Sequence, residues 1–195
     1  VGALRPDGLY AGAHNAHLMS VAGKGRRVIF IGASMAGKTT LTQAMMREEL
    51  RYRKTQTLDI VGGFIIDTPG EYAENSTLSK ALALYTYEAD VVGLLLSATE
   101  GYSLYPPCVT ACCNRPVIGI VTQTDHEGAS VERAHNWLDL AGCHPIFHVS
   151  SYTGEGIWQI LSYLKEPGDE LPWESEEEAE RPRAVISNKY GDMKN

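Results

Sequence analysis

Along the middle of the chain, short β-branched runs alternate with helix-length segments. Residues 27–32 (RVIFIG) read as a buried strand running into a glycine-bounded loop. Residues 39–50 read as a helix, because Leu41, Ala44, Met45 and Leu50 recur at helical spacing. Residues 51–60 are polar and irregular. A second strand, 64–67 (FIID), is stopped by Thr68, Pro69 and Gly70, after which Leu78, Leu82 and Tyr85 predict a helix. The runs 91–97 (VVGLLLS) and 116–122 (PVIGIVT) are continuously apolar, as expected of parallel strands covered by helices on both faces. Between them, residues 102–115 are rich in Pro, Cys and Tyr and carry no helical period. A helix over 130–140 with Ser130 as cap, a strand over 146–150 and a helix over 154–165 complete the pattern. The alternation predicts an α/β fold: a doubly wound, mostly parallel sheet flanked by helices and joined by right-handed crossovers.

Composition narrows the function classes. The 195 residues, 44% of them hydrophobic, suit one globular domain, and no apolar run reaches the roughly 18 to 20 residues that span a bilayer. Four cysteines, three of them clustered between Cys108 and Cys113, are too few for a disulfide scaffold and lack a paired CxxC unit for zinc. Net charge is −7, and residues 166–195 hold nine acids and four bases, a net of −5 that leaves −2 for the rest. An acidic chain of this kind argues against bulk nucleic-acid binding. The expected organisation is a flexible or targeting leader (1–25), a nucleotide-binding domain (26–165) and a solvated acidic tail (166–195). The expected location is the cytoplasm.

Gly32-Ala33-Ser34-Met35-Ala36-Gly37-Lys38-Thr39 fits GxxxxGK[ST] where a strand ends and a helix begins. Glycines let the backbone curl so that N–H groups face phosphate oxygens, the helix N-terminus adds partial positive charge, Lys38 balances phosphate charge, and Thr39 offers Mg²⁺ a hydroxyl. Ser34, Ala36 and Thr40 belong to the same phosphate-facing turn. Asp67 closes an apolar strand, the position of an acid that holds Mg²⁺, and Asp67-Thr68-Pro69-Gly70 fits DxxG, with Gly70 placed to offer its N–H to a γ-phosphate. Between these motifs Thr55 is the first candidate for a threonine presented to Mg²⁺ and Thr57 the second.

Thr122-Gln123-Thr124-Asp125 ends an apolar strand where GTPases carry [NT]KxD. The Asp125 carboxylate suits guanine, whose N1–H and N2–H form a donor pair that adenine lacks; Gln123 in place of Lys removes an alkyl-ammonium packed over the base. Ser150-Ser151 resembles the loop that supports the base after the next strand. The four motifs in this order predict a Ras-like P-loop NTPase.

The chain resembles the EutP/PduV family of small P-loop proteins found with ethanolamine and propanediol utilisation systems of bacterial microcompartments. The resemblance spans about residues 26–165. It rests on the 32–43 run, Lys54-Thr55-Gln56, Ile66-Asp67-Thr68-Pro69-Gly70-Glu71-Tyr72 and Asn114-Arg115-Pro116-Val117-Ile118-Gly119. It implies a Ras-like fold, GTP or ATP with Mg²⁺, and a role at or near a microcompartment, with a shell protein as a partner. Some members look like acyl-phosphate-forming kinases.

Glu71 follows DxxG where many GTPases place a water-orienting Gln. Its carboxylate either accepts a proton from water or points away, and slow hydrolysis is expected because it sits near the γ-phosphate charge. With Lys38 and Thr55 it makes up the catalytic candidates. Three functions stand side by side: a slow GTPase switch, a kinase passing the γ-phosphoryl group of ATP to acetate, and a nucleotide-binding structural or targeting protein without turnover.

Overall fold

The computed structural model describes residues 25–46, 48, 50, 59–69 and 87–168. Its centre is a six-stranded sheet of β1 (Val28–Ile31), β2 (Asp59–Val61), β3 (Ile65–Asp67), β4 (Val91–Ser97), β5 (Val117–Thr122) and β6 (Ile146–His148). The order across the sheet is β2-β3-β1-β4-β5-β6, and every pair is parallel except β2 with β3. The described helices are α1 (Lys38–Met45), α2 (Val131–Ala141) and α3 (Ile157–Leu164). This is the α/β architecture that the alternating pattern predicts.

Strand alternation divides the core into two layers. Val28 and Phe30 of β1 face one side, where they pack with Leu41 and Met45 of α1 and with Ile157, Ile160, Leu161 and Leu164 of α3. Ile29 and Ile31 face the other, with Ala134 and Leu138 of α2. Because both faces are covered, β1, β4 and β5 are buried along their whole length, which is why their sequences are continuously apolar.

The sequence pattern and the structure part company in a few places. The first helix is described only to Met45, short of the predicted residue 50, and the last begins at Ile157, three residues after the predicted start. Residues 59–61, at the end of the stretch expected to be irregular, form the antiparallel edge strand β2. Three residues (DIV) are too few to show a period. Trp137 and Trp158 both fall in the helices that the sequence predicts, which places both in the core as an expectation; Trp137 does pack on the core, but Trp158 is 58% exposed. The helix expected around residues 78–85 lies outside the described residues.

Between β4 and β5 the crossover has no α-helix, only a single 3₁₀ turn (Val109–Cys112) among bends, as the lack of period in 102–115 predicts. Its three cysteines, and Cys143 between α2 and β6, are free thiols: Cys108 and Cys112 are exposed, Cys113 is half-buried and Cys143 is buried. No group of three or more metal-ligating side chains forms among the described residues. Burial, then the neighbouring Cys112, pushes the Cys113 thiol up to about 12; burial, then Cys113, does the same for Cys143.

Two measurements check this packing. Phe30→Ala should cost about 3–5 kcal/mol in urea unfolding, whereas Trp158→Ala should stay within about 0.5 kcal/mol. In the folded protein at pH 8, iodoacetamide should label Cys108 and Cys112 well before Cys113 and Cys143. Peptide mass spectrometry reads the order, and denaturant should abolish it.

Candidate nucleotide site

The turn from β1 into α1 lies at the carboxyl end of the parallel strands, where open α/β sheets place their ligands. Gly32 is fixed by space: a Cβ there would lie 2.9 Å from the Leu95 carbonyl oxygen and 3.2 Å from the Ala36 Cβ. Gly37 is fixed by conformation, with φ +84 immediately before the first turn of α1. Within the turn Ala36 N–H donates to the Ala33 carbonyl (3.2 Å), and Leu41 N–H returns to the Gly37 carbonyl (2.8 Å).

Lys38, only 6% exposed, folds back over this turn, and its ammonium donates to the carbonyls of Gly32 (2.8 Å) and Ala33 (2.7 Å). The Thr39 hydroxyl donates to Asp67 Oδ2 at 2.8 Å, bringing the start of α1 against the end of β3. Asp67 is buried, and Thr68 beside it ties β3 to β1 by donating to the Phe30 carbonyl (2.6 Å). The hydroxyl of Thr39 and the carboxylate of Asp67 are hard oxygen donors of the kind Mg²⁺ takes, so these two side chains fit that ion. Ser34 and Thr40 are half-buried around the same turn.

Two side chains from the end of β5 hold the turn from the opposite side. Thr122 is buried and donates to the Ala36 carbonyl (2.8 Å); its hydroxyl is thus directed at the loop backbone. Gln123, at φ 56, donates from Nε2 to the Met35 carbonyl (3.1 Å) and accepts through Oε1 from Ser97 (2.6 Å) and Thr99 (3.3 Å). Asp125 follows with its side chain exposed. The Ser150 loop lies alongside, since Thr124 N–H donates to the Val149 carbonyl (3.4 Å). Ser150 is fully buried: its N–H donates to the Glu155 carbonyl, its carbonyl accepts from Gly154, and its hydroxyl oxygen accepts from Thr153 N–H (3.1 Å). Ser151 is half-buried.

The structure therefore brings together Gly32, Ser34, Ala36, Gly37, Lys38, Thr39 and Thr40 with Asp67 and Thr122, and sets Asp125, Ser150 and Ser151 at the same carboxyl end of the sheet. Thr55, Gly70 and Glu71 lie outside the described residues. Three supporting residues are missed by motif reading. Ser97 is a hydroxyl at the sheet end of an otherwise apolar run, a position that marks it out in retrospect. Thr99 gives no such signal. Tyr105 is buried and its hydroxyl lies 2.7 Å from the Leu95 carbonyl and 3.1 Å from the Ile31 carbonyl, directly below the turn. Burial raises its phenol far above the ordinary tyrosine range, so it remains a neutral donor.

Gly32→Ala should destabilise the protein by about 1–3 kcal/mol in denaturant unfolding, because its new Cβ meets backbone rather than a flexible side chain. Gly101→Ala, with nothing within 4 Å of the added carbon, should be neutral to within about 0.5 kcal/mol.

Comparison with known proteins places this geometry. The chain is 39% identical over 140 residues to the propanediol utilization protein PduV of Citrobacter freundii, which covers 71% of this chain and 93% of that protein. It is 28% identical over 141 residues to "Probable acetate kinase EutP" of Escherichia coli (strain K12), 71% of this chain and 89% of that protein. A more distant similarity, 23% over 167 residues, links 75% of this chain to 53% of GTPase Era of Rhizobium meliloti (strain 1021). The sheet order with its antiparallel edge, together with the similarity to Era, makes this a Ras-like P-loop NTPase fold. No helix among the described residues is long and apolar enough to cross a membrane. The family described as "Ethanolamine utilisation - propanediol utilisation" matches residues 25–166, and the chain belongs to this PduV-EutP family.

Proposed function

We propose that the chain is a Mg²⁺-dependent nucleotide-binding protein, a slow small GTPase that serves propanediol or ethanolamine utilisation and works in the cytoplasm at a microcompartment shell. The observation that carries the reading is the convergence of the Lys38 ammonium on the Gly32–Ala33 turn with the Thr39–Asp67 pair beside it. Such an arrangement matches the charge of a polyphosphate and the ligand chemistry of Mg²⁺ in one place. When bound, Mg²⁺ neutralises charge on the phosphates; Thr39 and Asp67 are the residues that would hold it, with Thr55 as a further ligand.

In this reading Lys38 stabilises charge on the transferring phosphoryl group, Gly70 donates its N–H to it, and Glu71 acts on the attacking water. The carboxylate at Glu71 lies close to phosphate charge, so turnover is slow. Asp125 accepts from the guanine edge, with Ser150 and Ser151 supporting the base. Residues 26–165 form the nucleotide-binding unit, residues 1–25 act as a leader toward a shell protein, and residues 166–195 are a separate acidic tail.

A second reading is a kinase in which an acetate oxygen attacks the γ-phosphorus of ATP, giving acetyl phosphate and ADP. It is favoured by the resemblance to "Probable acetate kinase EutP" and by Gln123, which takes the place of the lysine expected of a guanine site. A third, nucleotide binding without turnover, draws on the same Gln123 and on Glu71.

Purified full-length chain with Mg²⁺ and labelled GTP or ATP, with and without acetate, separates them. The expected result is GTP binding and slow phosphate release indifferent to acetate, with Lys38→Ala weakening binding at least tenfold. Acetyl phosphate, trapped as the hydroxamate, would replace the GTPase reading with the kinase. Binding without any turnover would leave the structural role. An unchanged Lys38→Ala variant would remove the nucleotide site altogether.

A further inference from the structure

Two histidines meet at the β6 edge of the sheet, three strands away from β1. His135 stands on α2, whose Ala134 and Leu138 are fixed in the core. His148 is the last residue of β6 and pairs in register with Val121 of β5. Side chains alternate along a strand, so His148 shares the face of Ile146, which packs on the same core layer as α2. The fold thereby carries both imidazoles to one place. His135 Nδ1 lies 2.8 Å from His148 Nε2, with the ring centroids 5.0 Å apart and the ring planes at 75°. A contact this short needs one proton between the nitrogens, so one ring donates and the other accepts through its lone pair. Solvent reaches the pair, since His148 is exposed and His135 half-buried. Burial, then the neighbouring His135, holds the His148 pKa below the ordinary histidine value, which favours the neutral ring whose lone pair can ligate.

We propose that His135 and His148 form a two-histidine site for a borderline-soft divalent transition-metal ion of the Zn²⁺ type, bound through His135 Nδ1 and His148 Nε2 with water completing its shell. Imidazole nitrogen is a ligand that such ions take, whereas the hard oxygens of Thr39 and Asp67 suit Mg²⁺. Two imidazole nitrogens on a tetrahedral Zn²⁺, each about 2.0–2.1 Å from the ion, lie about 3.3 Å apart. The pair therefore has to open by roughly half an ångström, which rings at the surface achieve by a small turn. For neutral rings the proton count is unchanged. The shared proton moves to the donor ring's outer nitrogen, both inner lone pairs go to the ion, and each ring keeps one N–H. Since one ligand comes from a helix and the other from a strand, the ion ties α2 to the edge strand β6. Val149 follows His148 directly and donates its N–H to the Val121 carbonyl (2.8 Å), so the clamp ends beside the Ser150 loop. The site stands apart from the nucleotide reading and does not rest on it.

The test uses the full-length protein, stripped of metal, with the exposed thiols of Cys108 and Cys112 capped by iodoacetamide so that they do not compete for the ion. Zn²⁺ alone is titrated without nucleotide, and the histidine ring nitrogens are followed by long-range ¹H–¹⁵N NMR, which separates this pair from His14, His17, His126 and His144. His135 Nδ1 and His148 Nε2 should shift together and saturate at one equivalent, while millimolar Mg²⁺ moves neither. In calorimetry, His135→Ala and His148→Ala should each weaken this binding at least tenfold. The double variant should bind no more weakly than the worse single one, as expected of a chelate that needs both ligands. A pair that only shares a proton would show none of these effects. Ring signals unmoved by a fivefold excess of Zn²⁺, a shift confined to one of the two rings, or single variants within twofold of wild type would each overturn the proposal. The ring spectra of the unaltered sequence decide the matter even if a variant fails to fold, and the presence or absence of GTP or ATP binding leaves the result unchanged.

Discussion

A buried ammonium sets the terms for the ligand-binding end of the sheet. Lys38 is almost fully enclosed, and an ammonium removed from water is tolerated only where hydrogen-bond acceptors surround it. The carbonyls of Gly32 and Ala33 serve, and they reach Lys38 only because the chain curls tightly between β1 and α1. That curl in turn requires a residue without a Cβ at 32, where the Leu95 carbonyl presses close, and a left-handed residue at 37. The loop is thus shaped from within by the charge it carries.

From outside, other donors take up the remaining turn. Thr122 binds the Ala36 carbonyl and Gln123 that of Met35, while the Tyr105 hydroxyl sits against Ile31 and Leu95 below. Within a trans peptide, N–H and C=O point in opposite directions. The Ala36 carbonyl, drawn toward Thr122, therefore turns the N–H of Gly37 the other way, which is the polarity an anion site requires. Preorganisation of this kind costs nothing at the moment of binding, because the backbone is already held.

How much of this was legible beforehand depended on whether the signal lay in residue type or in direction. The run 91–97 is legible because a strand covered on both faces must be apolar throughout, and β4 occupies those residues. The edge strand β2 is not, since a three-residue strand has room for neither alternation nor a continuous apolar run. Trp158 misleads because helical position says little about which flank of a short helix meets solvent. At the site, glycine, lysine and threonine spacing announces the phosphate turn, and Asp67 announces its partner. The motif also marks Gln123 as a departure from lysine, but an amide's use is a matter of where its two ends point. That orientation comes from Ser97, Thr99 and Met35, which are distant from Gln123 in sequence and meet it only at the carboxyl ends of β4, β5 and the β1–α1 turn.

The irregular crossover between β4 and β5 follows from the same economy of backbone partners. A helix would satisfy its own carbonyls and N–H groups; a segment rich in Pro and Cys cannot, and it finds partners on its neighbours instead. Ser130 N–H donates to the Ala98 carbonyl, Cys108 N–H to Leu140, and the Thr110 hydroxyl to Gly142, which pins the segment to both ends of α2. Tyr105 completes the attachment by reaching the carbonyls at the ends of β1 and β4. Since a neutral phenol buried without those carbonyls would leave its hydroxyl unsatisfied, the crossover can hold its course only while the strand ends stay in register. The segment that lacks a helical period is therefore fastened to β1, from which the phosphate turn arises, and to β4, whose Ser97 donates to Gln123, and its irregular sequence is the form that this fastening takes.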